Sequence, residues 1–283
     1  MGVVLLIALF VGVTAQAGNT RTARKQIEAS MLLTGTITID RNGVVQAHTL
    51  NATEDLDDVL KAFVGRTIEK WRFEPILVDG TAVTAKLPMS LRLLAKPAED
   101  GTMSVQISST HFGSGEKFVA SDEVRAVHLV PPEYPKAALQ VGGRGTVYLV
   151  VEVDRDGSVI NANAEQVNLR VLGSDSEMSR MRKQFTIAAV NAAKQWAFMP
   201  PTTGVSVIDG SWLVRIQMEF AFSSGSGSGG QAGKWETYLP GPRNMEIPWA
   251  REKLRTAGNP DLLSEGGVYS LRQGATLLPS PAS

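Results

Sequence analysis

The sequence predicts an α+β protein built from two tandem small domains, each a three-stranded antiparallel sheet covered on one face by a helix. Three observations carry this. A Trp-x-Phe-x-Pro pattern occurs twice, at Trp71, Phe73, Pro75 and again at Trp196, Phe198, Pro200. Upstream of each lies an alternating apolar run ending in a similar turn, Asp40 to Gly43 and Asp154 to Gly157. Between turn and tryptophan, apolar residues recur at helical spacing.

Each element follows from local chemistry. Asn42-Gly43 and Asp156-Gly157 are hairpin signals, because a tight turn needs positive φ and glycine supplies it without a Cβ clash. Residues 44–50 and 158–166 are the returning strands. In the first unit, residues 55–70 place Leu56, Val59, Leu60, Phe63, Val64 and Ile68 on a helix face. In the second, Phe185, Ala188, Ala189, Ala192, Ala193 and Trp196 do the same. Trp and Phe two residues apart share one face of an extended segment and cap a common core, and proline disfavours helix just before it. Closing strands fall at 83–94 and 211–222.

The domain boundaries follow. A signal segment covers 1–17, the first unit 19–96, a polar connector with one strand at 103–109 covers 97–123, and the second unit 124–223. Residues 224–283 are a Gly/Ser linker and a mostly irregular tail, with a helical stretch at 249–256 and Trp235, Tyr238 and Trp249 to pin it. The apolar run at 3–15, followed by Ala15-Gln16-Ala17, reads as an export signal cleaved after Ala17. It is shorter than the roughly 20 residues a spanning helix needs. Left uncleaved, it would associate the chain with the inner membrane.

Composition removes several classes of function. Of the 283 residues, 28 are Lys or Arg and 28 Asp or Glu, so no net charge favours nucleic acid. Without cysteine there is no disulfide, thiol nucleophile or thiolate-held metal. His48, His111 and His128 lack metal-helix spacing, so neither a metal nor a cofactor is expected. The glycines at 113 and 115 fail the phosphate-loop spacing, and Gly142 to Gly145 open a strand, not a helix. Asp154 and Asp156 are turn formers, not a facing carboxylate pair, so an Asp/Glu hydrolase has no constellation behind it.

The second unit resembles the C-terminal domain of the TonB family of periplasmic energy transducers. Tyr134-Pro135, Ala137, Ala138, Gly142 to Gly145, Val153-Asp154-x-Asp156-Gly157 and Trp196-x-Phe198-x-Pro200 carry the resemblance, in order, over 131–222. The first unit lacks the Tyr-Pro segment and resembles a degenerate second copy.

The resemblance implies a non-enzymatic periplasmic binding module. It would dock an extended peptide, the TonB box of an outer-membrane transporter, as an added strand. The strand from Trp212 to Phe220 would be the receiving edge. Trp212, Val214, Ile216, Met218 and Phe220 would face the helix, and Leu213, Arg215, Gln217 and Glu219 the other side. Tyr134 and Pro135 are readable as a packing staple or as part of the peptide groove. Another periplasmic protein is an alternative partner, and free edges offer self-association or pairing of residues 86–94 with the second unit. The family's membrane helix with its histidine and long Pro-rich spacer have no counterpart here, which argues against direct use of the proton gradient.

Overall fold

A computed structural model describes residues 27–51, 56–78, 80–97, 103–113, 123–222, 233–257, 260, 267–271, 275 and 277–278. The signal segment at 1–17 lies outside the described residues.

The first unit opens with β1 (Glu28–Ile39), whose alternate residues Met31, Leu33, Ile37 and Ile39 are buried. It turns into β2 (Val45–Leu50) and then into α1 (Asp58–Glu69), whose first turn is capped by the Asp57 carboxylate accepting from the Val59 N–H. A short hairpin, β3 (Leu77–Val78) and β4 (Thr81–Ala82), leads to β5 (Ala85–Pro97), and β6 (Met103–Phe112) returns beside it. On α1, Val64 and Ile68 are buried but Val59 is 76% exposed. Five residues before Val64 is about 140° round the helix, outside the core-facing stripe.

The second unit runs β7 (Arg125–His128), α2 (Lys136–Gln140), β8 (Gly145–Asp154), β9 (Val159–Leu169), α3 (Asp175–Ala193), β10 (Ala197–Met199) and β11 (Ser211–Phe220). Ser174 and Glu177 form a reciprocal capping box at the start of α3. The tail adds β12 (Trp235–Tyr238), α4 (Arg251–Thr256) and β13 (Val268–Ser270).

The two sheets have matching antiparallel orders, β2-β1-β5-β6 and β9-β8-β11-β13. The turns match too. Gly43 and Gly157 have φ of 78° and 87°. A Cβ on either would lie 1.9 Å from the carbonyl oxygen of Phe73 or Phe198. The N–H of the same phenylalanine donates to the glycine carbonyl, at 2.9 and 2.8 Å. Trp71 and Phe73 meet edge to face at 6.5 Å, and Trp196 and Phe198 at 6.3 Å. All four rings are core.

Each unit thus supplies the three strands its sequence predicts, and a fourth comes from outside that set. The connector strand expected at 103–109 is β6, which runs to Phe112 and pairs with β5 along its length. Residues 86–94 sit inside β5 between β1 and β6 and do not pair with the second unit. Among the described residues, the tail holds more regular structure than its Gly and Pro content suggests. β12 pairs with β1, Leu239 bridges Leu169 of β9, and β13 pairs with β11. Leu277 then bridges Phe73, so the tail touches both units in turn.

Candidate functional site

The candidate edge is β11. One side pairs with β8 over all ten residues, Ser211↔Asp154 through Phe220↔Gly145. Trp212, Val214, Ile216, Met218 and Phe220 are buried in the core with Phe185, Ala189 and the other inward residues of α3. That parity is as the alternation predicts.

The other side is not the open rim the sequence suggests. β13 occupies it in antiparallel register: Val214↔Ser270, Arg215↔Tyr269 and Ile216↔Val268. The Leu271 N–H donates to the Leu213 carbonyl at 3.0 Å. Beyond Ile216, β11 has no second partner strand among the described residues.

The outward side chains are covered as well. Leu213 packs against Val150, Ile247, Ala250, Leu254, Ala257 and Leu271, a small core made by the tail on the outer face of the sheet. Arg215 is bidentate to Glu165, with Nε at 2.7 Å and a terminal nitrogen at 2.8 Å. Glu165 is wholly buried and also receives Arg243 Nε from the tail, at 2.6 Å. Arg243 in turn donates to the carbonyls of Leu254 and Ala257 at 3.4 and 3.2 Å.

Glu165 reaches this position because the β8–β9 ladder slips there. Tyr148 pairs with Gln166 but Leu149 with Ala164, leaving Glu165 as the extra, bulged residue. Gln217 is buried, its side-chain oxygen without a hydrogen-bond partner. Glu219 pairs with Arg170 at 2.6 Å, and Arg170 reaches Glu236 of the tail at 3.1 Å. Of the residues expected to keep the edge soluble, Leu213 is packed beneath the tail, Arg215 and Glu219 are ion-paired and Gln217 is buried, which no local pattern announces.

Tyr134 and Pro135 are not beside β13. Pro135 is the residue before α2. Tyr134 stands edge-on to Phe185 and Phe220, at 6.0 and 5.6 Å, and stacks on Phe222. Its hydroxyl donates to the Gly143 carbonyl. This is the geometry of a packing brace at the far end of β11. Burial pushes the Tyr134 hydroxyl above the ordinary phenol range.

His111 of β6 meets Tyr269 of β13 edge to face at 5.5 Å. Burial, with the nearby Arg215 charge, holds it below the ordinary imidazole range against the opposing pull of Glu123. Among the described residues no cluster of His, Asp and Glu could hold a metal ion, and no helix is long and apolar enough to cross a membrane.

In this arrangement β11 already accepts one antiparallel strand besides β8, namely β13 of the tail. Two proteins named TonB, from two strains of Xanthomonas campestris pv. campestris, are 31% identical to this chain over 104 residues. The match covers 37% of this chain and 40% of theirs, so the chain matches well under half the length of these curated relatives. The solved C-terminal domain of Pseudomonas aeruginosa TonB aligns at 22% identity and a TM-score of 0.23, over 38% of this chain and 93% of that one. No family model matches. The chain carries a TonB C-terminal-like domain.

Proposed function

We propose that this protein is a non-enzymatic binding module of the cell envelope, exported to the periplasm through residues 1–17. Its second unit docks an extended peptide by strand addition along β11, in service of TonB-dependent transport. The observation that carries this reading is the pairing of β13 on β11, since it supports β11 as an edge competent to receive an antiparallel strand. The 31% identity to the TonB proteins supports the kind of partner, an outer-membrane transporter segment. The first unit is read as a divergent copy, on the matched sheet order and turn geometry.

Docking along residues 213–216 requires β13 to leave on this reading, because one strand edge holds one partner. The test is titration of the full chain with TonB-box peptides while NMR follows residues 211–221. Shifts confined to this strand and to 268–271 support docking. Shifts absent across several boxes refute it.

A second reading has its own observation. The tail lies on both edges of the second sheet, through Leu239 on β9 and β13 on β11. That closure favours an architectural protein whose contacts serve its own assembly. Light scattering that shows a stable oligomer, with no peptide binding, would favour it.

A further inference from the structure

The two equivalent edges are closed in very different ways. In the first unit β6 covers β5 with nine paired positions from Met89↔Phe112 to Pro97↔Met103. It is the next strand in the chain, joined by a short connection, so its loop-closure cost is small. In the second unit β13 covers β11 with three paired positions and one flanking bond. It arrives after about 47 residues of tail, and all three of its residues are only half-buried. The first edge is covered by a long neighbouring strand, whereas the second is covered by a short, distant one, the arrangement from which a strand departs more easily.

The occupying strand also shows what the edge reads. Opposite Val214 and Ile216, Ser270 and Val268 face the helix side, and Val268 packs against the second unit's core. On the outer side, Tyr269 lies opposite Arg215 and against His111, and Leu271 fills the tail's small core beside Leu213. Alternate side chains therefore sample two different surfaces, as in any added strand.

We propose that residues 267–271 are a built-in stand-in for the partner. The β11 edge takes, in trans, an extended peptide of the same order of chemistry: aliphatic, aromatic, small, aliphatic. This rests on the strand-addition reading above and adds both the ligand's pattern and the competitor that holds the site. A longer peptide has an advantage, because it would also reach the stretch of β11 beyond Ile216 that β13 leaves without a second strand.

The experiment compares the full wild-type chain with the full chain carrying Tyr269→Pro. Since the 213/271 pair is hydrogen-bonded, 215/269 is the next pair to exchange both bonds, and proline there removes the donor. The probe is a fluorescent peptide of residues 267–272. A tethered strand competes at millimolar effective concentration, so the variant should bind the probe about ten-fold or more tightly than wild type does. Shifts on residues 213–216 should accompany it. Equal binding by the two folded chains, or equal binding of a probe with the same residues scrambled, overturns the proposal.

Should the proline variant not fold, Val214→Cys with Ser270→Cys locks the strand. The locked chain should lose probe binding and regain it on reduction, and unchanged binding overturns the proposal. A TonB-box peptide run in parallel separates the two readings. If it binds and the 267–272 probe does not, strand addition stands and the stand-in falls. If only the probe binds, the stand-in stands and the transporter partner falls.

Discussion

Removing the carboxylate of Glu165 tests how the tail is held. Its side chain is 0% exposed and that of Arg215 is 7%, with N–O distances of 2.7 and 2.8 Å. In Glu165→Ala, the Arg215 guanidinium stays buried with its counter-charge gone, and Arg243 loses its anchor 2.6 Å away. Breaking a buried pair from one side costs about 3–5 kcal/mol, because the remaining charge stays out of water without its counter-ion.

The control has similar geometry in water. Arg251 and Glu246 are 2.8 Å apart, but 48% and 65% exposed. Glu246→Ala should cost about 0–1 kcal/mol. Urea unfolding of the full chains, followed by tryptophan fluorescence, reads the difference. At a slope of about 2 kcal/mol per M, the Glu165→Ala midpoint should fall by roughly 2 M and the control by well under 1 M. Midpoints that agree within error would refute the claim that this ion cluster clasps the tail to the sheet.

Three further outcomes follow from the same geometry. Leu254 of the tail is fully buried in the small core the tail forms on the sheet, so Leu254→Ala should cost about 2–5 kcal/mol and speed proteolysis within 233–257; unchanged cleavage would mean the tail is not docked as described. Gly157→Ala adds a Cβ 1.9 Å from the Phe198 carbonyl at φ 87° and should cost at least about 2 kcal/mol. Gly210→Ala, where nothing lies within 4 Å, should stay within about 0.5 kcal/mol, and similar melts for the two would contradict the turn. Burial lowers the His111 pKa in the fold, so on acidification the unfolded chain takes up its proton first, below about pH 6.5. Its contribution is therefore whole above that pH and falls on acidification. His111→Phe should flatten the loss of stability between pH 7.5 and 5, and an unchanged slope would sink the assignment.

What the sequence made legible is what local chemistry decides. Asp-x-x-Gly turns, the α3 stripe ending in Ala192 and Ala193, and the paired Trp and Phe all declare themselves within a few residues. The apolar stripe that the sequence predicts for α1 is one residue too wide, at Val59, because an apolar residue near a helix start joins the pattern without joining the core. The site was legible only on its inner side. Val214 and Ile216 alternate correctly, but Arg215 and Glu219 looked solvated because the groups that bury or pair them are far away in sequence. Glu165 was invisible for another reason: a bulge shifts the strand's parity, and nothing in residues 159–169 marks where. β13 is three residues long between glycine-containing flanks, too short for periodicity to reveal, and its partner lies more than 50 residues upstream.

The central claim is that β13 sits on β11, and a cross-link tests it most directly. The chain has no cysteine, so an introduced pair has no competitor. Val214 and Ser270 face each other as a non-hydrogen-bonded pair, where Cα atoms lie about 4.5 Å apart, within reach of a disulfide. The account predicts that Val214→Cys with Ser270→Cys closes completely within one chain under mild oxidation, at every protein concentration. Free thiols, or a bond formed only between chains, would contradict it.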